Sequence, residues 1–181
     1  MKALLRLEDV HVAYGRTEII HGISLAIGAG EFCALLGLNG SGKTTMLHAA
    51  CGFIPMKGRC SVDGQDLAGL HEKARARLIS FISQVSGLSG GRSVLDVVMM
   101  GFNARMGLLE SPTREHRRIA EAMLDRLGYA ALGDMDFGTL SQGQKQIVIL
   151  ARCLVQDAPM MLMDEPDSAL DFVNRHMMPA K

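Results

Sequence analysis

The chain has 181 residues, 48% of them hydrophobic and 21% charged, a composition that can bury one sizeable core and excludes a disordered chain. Lysine plus arginine total 19, and so do aspartate plus glutamate, so no overall basic field recruits nucleic acid. No run reaches the roughly 18 apolar residues of a membrane span, and Arg6, Glu8 and Asp9 interrupt the start before a signal peptide's apolar region could form; the chain is expected to begin in the cytoplasm.

In chain order, "LLRLEDVHVAY", "IIHGISLAI" and "FCALLG" read as apolar strands. A Gly-rich loop follows, then a helix from Lys43 to about Ala50. "GRCSVDGQDL" reads as a strand and turn at Asp63-Gly64, "LHEKARARL" as a short helix and "LISFIS" as a buried strand. After Gln84 the pattern turns helical. Ser93 can cap "SVLDVVMMGF". Pro112-Thr113 opens a helix with Ile119, Met123 and Leu127 on one face, Ala120 and Leu124 beside them, and Gly128 at its end. A further helix runs from about Gln142 to Gln156, and after Pro159 comes the strand "MMLMDEP". Strands, then helices, then a strand again suggest an α/β nucleotide-binding core with an inserted helical part. Cys33, Cys51, Cys60 and Cys153 lack metal-ligand spacing and are expected to be buried thiols in a reducing compartment.

"GLNGSGKT", Gly37–Thr44, matches G-x-x-x-x-G-K-[ST] in full, after an apolar strand and before a helix. Glycines let backbone N–H groups turn inward as an anion cradle, and the helix adds its positive end. Lys43 can neutralise β- and γ-phosphates, and the Thr44 hydroxyl can ligate Mg²⁺. "MMLMDEP" sets Asp164 and Glu165 at the end of a strand apolar at successive positions, where open α/β sheets bind ligands. Asp164 would hold the Mg²⁺ shell, and Glu165 would polarise the attacking water.

With these motifs the chain resembles the ATPase subunit of an ATP-binding cassette (ABC) transporter over nearly its whole length. That family's signature, near Leu-Ser-Gly-Gly-Gln, opens the helix leading into the Mg²⁺-binding strand. "LSQGQKQ" at 140–146 fits that layout. The word Leu88-Ser89-Gly90-Gly91 stands just after Gln84 and far upstream of Asp164, so it is a chance likeness. Ser141 with Gln144 three residues on is a capping-box pattern, which puts a hydroxyl, N–H groups and a helix dipole in one place.

The resemblance implies further roles. Gly37, Asn39, Gly40, Ser41, Gly42, Lys43, Thr44 and Thr45 would hold the phosphates of ATP, and Tyr14 would stack on adenine. Ser141, Gly143 and Gln144 would touch ATP held by a second copy, with Gln142 where the commonest form has glycine. Thr44, Gln84 and Asp164 would bind Mg²⁺, and Glu165, Gln84 and Lys43 would carry catalysis. "SALD", Ser168–Asp171, would cross the dimer interface.

The fold implied is a P-loop NTPase core of the ABC type, with an N-terminal antiparallel β-subdomain and an inserted α-helical subdomain. Its parts would be residues 1–84, 85–156 and 157–181. "SVLDVVMMGFNARMG" resembles importers of metal chelates and oxyanions (iron–siderophore, cobalamin, molybdate). There this segment forms a groove for the membrane permease, to which Met99, Met100 and Met106 are suited. The partners implied are a second ATPase subunit, the permease, an extracytoplasmic substrate-binding protein and no nucleic acid, at the cytoplasmic face of the inner membrane. The family pattern continues to a strand ending in a γ-phosphate-reading histidine, a role His176 does not fit. The C-terminal core strands are therefore expected to be missing and hydrolysis by the 181 residues weak. The alternatives are an ATP-binding remnant without turnover and a non-transport cassette ATPase.

Overall fold

The computed structural model describes residues 3–83, 91–107 and 109–165. They fall into two compact units, one within residues 3–81 and 158–164, the other among the described residues of 82–157 with Glu165.

In the first unit, β1 (Ala3–Tyr14) and β2 (Thr17–Gly28) form a hairpin, and β3 (Lys57–Val62) and β4 (Gln65–Asp66) extend it into an antiparallel sheet of order β2-β1-β3-β4. The expected antiparallel β-subdomain is thus present. Alternation in β1 buries Leu5, Leu7, Val10 and Val12. The three-residue step from Leu7 to Val10 marks a bulge: Glu8 and Asp9 are both exposed, and Asp9 takes φ 47°. Asp63 (φ 48°) and Gly64 (φ 78°) make the tight β3–β4 turn that the sequence signals. The core joins these strands to Met46, Ala49 and Ala50 of α1 (Lys43–Ala50). After the short α2 (Glu72–Ala76), β5 (Ile79–Ile82) pairs with β6 (Met160–Met163); the Met160 N–H donates to the Leu78 carbonyl at 3.2 Å.

One expected strand does not form. Residues 31–38, which include "FCALLG", have no strand pairing, and Phe32, Leu36 and Leu38 are 62, 88 and 85% exposed. A strand exists only where a neighbour completes its hydrogen bonds, and this apolar run has none among the described residues. Cys33 in it is exposed, against the expectation of four buried thiols; Cys51, Cys60 and Cys153 are buried.

In the second unit, α3 (Val94–Met99) runs into a 3₁₀ turn over Met100–Ala104, followed by α4 (Arg114–Arg126) and α5 (Gln142–Gln156). Ser93 and Thr113 cap α3 and α4 as the sequence implies. The buried face of α4 is Ala120, Leu124 and, just beyond its end, Leu127; Ile119, expected to face inward, stands at the edge of the stripe and is 36% exposed. Helix α5 buries Ile147 through Ala151, Cys153 and Val155, so it is apolar on most sides and central to its unit. Gly101 lets the 3₁₀ turn touch the α5 backbone: a Cβ there would fall on the Arg152 carbonyl oxygen and 2.5 Å from Val155 Cγ2. No helix among the described residues is long and apolar enough to cross a membrane.

Candidate functional site

The loop Gly37–Thr44 opens directly into α1. Gly42 is the N-cap at φ 91°, a conformation that disfavours any side chain. It also lies against β2, since a Cβ would sit 2.8 Å from Ile20 Cδ1 and 3.1 Å from Ile19 Cγ2. Gly40 takes φ 80° with open space around it, so its need is conformational. Gly37 is the reverse case: its φ is ordinary, but a Cβ would meet Ser41 Oγ at 2.6 Å. No side chain caps α1 and no acidic residue of its own stands in its first turn, so its leading N–H groups are left to the loop.

The Lys43 ammonium is folded over this loop. Nζ donates to the carbonyls of Gly37 at 2.8 Å and Leu38 at 2.9 Å. An ammonium has three donors, so one remains for a phosphate oxygen. The next residue faces the carboxylate that the sequence pairs with it: Thr44 Oγ1 donates to Asp164 Oδ1 at 3.0 Å, 120 residues away in sequence. Asp164 is 7% exposed, at the end of β6.

This donor set suits Mg²⁺. Hydroxyl and carboxylate are hard oxygen ligands, and adjacent oxygens of an octahedron with Mg–O near 2.0–2.1 Å lie about 2.9 Å apart, close to the spacing found. Among the described residues no group of three or more His, Cys, Asp or Glu could hold a metal by itself. One carboxylate and one hydroxyl match an ion whose remaining ligands are water and phosphate.

Glu165 follows at φ 48°, left-handed for a non-glycine residue. Strain of this sort concentrates at functional positions, and no residue pattern signals it. Tyr14 ends β1, paired with Thr17 across a two-residue turn at Gly15-Arg16, and is 53% exposed, open to stacking. Asn39, Ser41 and Thr45 lie in the loop and first turn of α1.

In the second unit the capping box at Ser141 is present: the Ser141 N–H donates to Gln144 Oε1 at 2.9 Å, and the Gln144 N–H donates to Ser141 Oγ at 3.3 Å. Ser141 therefore keeps its own O–H proton free of the box, beside Gly143 in the first turn of α5; Gln142 is exposed. Upstream, the Asp136 carboxylate accepts N–H bonds from Gly138 at 2.6 Å and Gly91 at 2.9 Å. These bonds, Gly138 first, hold its carboxyl below the usual aspartate value. Sequence reasoning missed Asp136, whose only signal is the Asp-x-Gly spacing of a turn. Gln84, Leu88-Ser89-Gly90, Ser168–Asp171 and His176 lie outside the described residues.

The ABC transporter family matches residues 20–168. The chain is 34% identical over 174 residues to a Helicobacter pylori protein named "Probable iron chelatin transport ATP-binding protein", covering 95% of this chain and 68% of that protein. It is 35% identical over 179 residues to the hemin import ATP-binding protein HmuV of Shewanella denitrificans, covering 96% and 69%. A solved metal-chelate type ABC transporter in an inward-facing conformation superposes at TM-score 0.79 with 28% identity, over 97% of this chain and 64% of that one. The chain thus spans about two thirds of the length of these relatives. With the family model matching residues 20–168 and these relatives matching nearly its whole length, the chain belongs to the ABC transporter family, as part of an ATP-binding subunit of the kind that hydrolyses ATP.

Proposed function

We propose that the chain binds Mg-ATP and supplies ATP hydrolysis to an importer of chelated iron or a similar metal chelate. The 3.0 Å approach of the Thr44 hydroxyl to Asp164, beside the ammonium-clasped loop, carries the reading. Lys43 and the N–H groups at the start of α1 would bind and orient the phosphates. Thr44 and Asp164 would hold Mg²⁺, which when bound withdraws charge from the phosphates. Glu165 would accept the proton of the attacking water as it meets the γ-phosphorus in line. Tyr14 would stack on the adenine. Ser141, Gly143 and Gln144 would bind the nucleotide of a second copy, so that ATP closes a dimer. The helical unit would engage a permease at the cytoplasmic face, and an external binding protein would supply cargo. The names of the relatives, for iron chelatin and hemin, support the cargo class.

A second reading, ATP binding without turnover, draws on the exposed run Phe32–Leu38, which joins no strand among the described residues. Single-turnover assays with and without Mg²⁺ separate the two. Thr44→Val and Asp164→Asn should abolish the Mg²⁺ dependence of ATP affinity, and Thr44→Ser should restore it. If both variants keep that dependence, the metal assignment is wrong; tight binding with no phosphate release selects the second reading.

A further inference from the structure

The β1–β2 hairpin carries a side-chain cluster that the phosphate site does not use. His11 Nδ1 lies 2.6 Å from Glu18 Oε1 on β2, and His11 Nε2 lies 3.1 Å from Asp9 Oδ1 at the bulge. Carboxylates accept hydrogen bonds and cannot donate them. A neutral imidazole has one N–H, so it can satisfy only one of the two. Engaging both nitrogens requires the imidazolium.

The two carboxylates belong to parts of the hairpin that need holding. Asp9 sits in the left-handed region, its own N–H donating to Ser24 Oγ at 3.0 Å across the bulge. Gly22 makes room for the contact, since a Cβ there would lie 3.0 Å from Asp9 Oδ1 and 3.3 Å from His11 Nε2. Glu18 pairs with Ala13, next to Tyr14 at the strand end.

We propose that His11 is a proton-operated clasp on this hairpin: protonated, it ties the Asp9 bulge to Glu18 and fixes the strand end that carries Tyr14, and on losing its proton it keeps one carboxylate and releases the other.

The charges around it set the direction. Glu18 and then Asp9, by hydrogen bonding, raise the His11 pKa above its ordinary value, and His11 in turn lowers that of Glu18. His21 Nδ1 also reaches Glu18 Oε2, at 3.4 Å, and competes for that carboxylate. Lys57 pairs with His11 across β1–β3, and Arg16, Lys57 and His11 line one open cavity of about 420 Å³. A raised folded value means that the clasp contributes fully below the ordinary histidine value of about 6.5 and is lost as pH rises through the folded value. Control of adenine binding would follow, and that consequence rests on Tyr14 as the base platform; the clasp does not.

The test is a histidine ¹⁵N titration of the full 181-residue chain, with His11 assigned by His11→Gln, alongside amide exchange of β1 and β2. At pH 6.5 more than half of the molecules should carry protons on both His11 nitrogens, and Glu18→Gln and Asp9→Asn should each lower the midpoint. Protection of residues 10–14 and 18–20 should fall severalfold through that midpoint in the parent and stay level in His11→Gln. A neutral His11 at pH 6.5, or protection indifferent to its titration, overturns the clasp. In a second arm, ATP affinity relative to inorganic triphosphate should fall through the same midpoint. If the first arm holds and this ratio stays flat, the clasp stands and its control of adenine binding is refuted.

Discussion

Replacing Lys43 by methionine keeps an unbranched side chain, one atom shorter, and removes the charge and the donors. In the loop the ammonium spends two of its three donors on the Gly37 and Leu38 carbonyls, at 2.8 and 2.9 Å and open to solvent. Hydrogen bonds exposed in this way exchange readily with water, so their loss costs the free protein about 1 kcal/mol or less. The bound state loses more. An ammonium about 4 Å from one phosphate charge, at an effective dielectric near 20, is worth roughly 4 kcal/mol, part of which is offset by desolvating the ammonium. A net loss of about 3 kcal/mol weakens ATP binding on the order of a hundredfold.

A thermal or denaturant titration reads the two effects separately. At ATP one hundred times the parent's dissociation constant, binding stabilises the parent by about 2.7 kcal/mol; a variant bound a hundredfold more weakly gains about 0.4 kcal/mol under the same conditions. Without nucleotide, parent and variant should unfold nearly together. If Lys43→Met retains the full ATP-dependent stabilisation, the ammonium does not meet the phosphates and the loop is no triphosphate cradle. If instead the variant is strongly destabilised without ATP, the two carbonyl bonds hold the loop far more firmly than their exposure implies.

Gly101→Ala should be among the most damaging small changes in the helical unit, because its methyl lands on the Arg152 carbonyl of a central helix that cannot move aside; a loss of about 2–3 kcal/mol is expected in urea melts. Asp136→Asn should lower stability at neutral pH. Because the folded carboxyl titrates below its ordinary value of 3.8, the gap between parent and variant should close as pH falls from that value through the folded one, read as melting midpoints across an acid series. Thiol labelling of the native chain should modify exposed Cys33 first, whereas burial pushes the Cys51 and Cys60 thiols up to about 12 and should leave them unreactive until unfolding; equal labelling rates would contradict this packing.

Features written within a few residues were legible in the sequence. Ser141 and Gln144 are three apart, and the box they form needs nothing beyond one helical turn. Asp63-Gly64 makes its turn with its own backbone angles. The phosphate loop is local in the same sense, since glycines, lysine and threonine share eight residues. The face of α4 was less legible: Ile119, Ala120, Met123, Leu124 and Leu127 form a stripe wider than the surface that covers it. Which edge is left out is decided by α3 and α5, and Ile119 is the residue left. The His11 clasp has no spacing signature, because a bulge and a hairpin bring its partners together.

The run Phe32–Leu38 shows where local reading stops. Its composition is that of a strand buried on both faces, and such a strand takes every stabilising contact from other segments. Burying a large apolar side chain is worth about 1.5–3 kcal/mol, so the exposed Phe32, Leu36 and Leu38 together leave several kcal/mol unrealised. The site survives this because its geometry comes from elsewhere. Gly42 is seated against Ile19 and Ile20 of β2, α1 packs Met46, Ala49 and Ala50 into the sheet's core, and Thr44 reaches Asp164 across from it. The phosphate loop is therefore fixed on its C-terminal side, by helix and sheet, and only lightly on its N-terminal side, where Lys43 bonds to the Gly37 and Leu38 carbonyls and the Ser41 N–H bonds to the Leu38 carbonyl. Nucleotide affinity in this chain should depend on the C-terminal side more than the N-terminal side: a substitution at Leu36 should change ATP binding less than one at Gly42, and the reverse order would place the loop's support in the wrong segment.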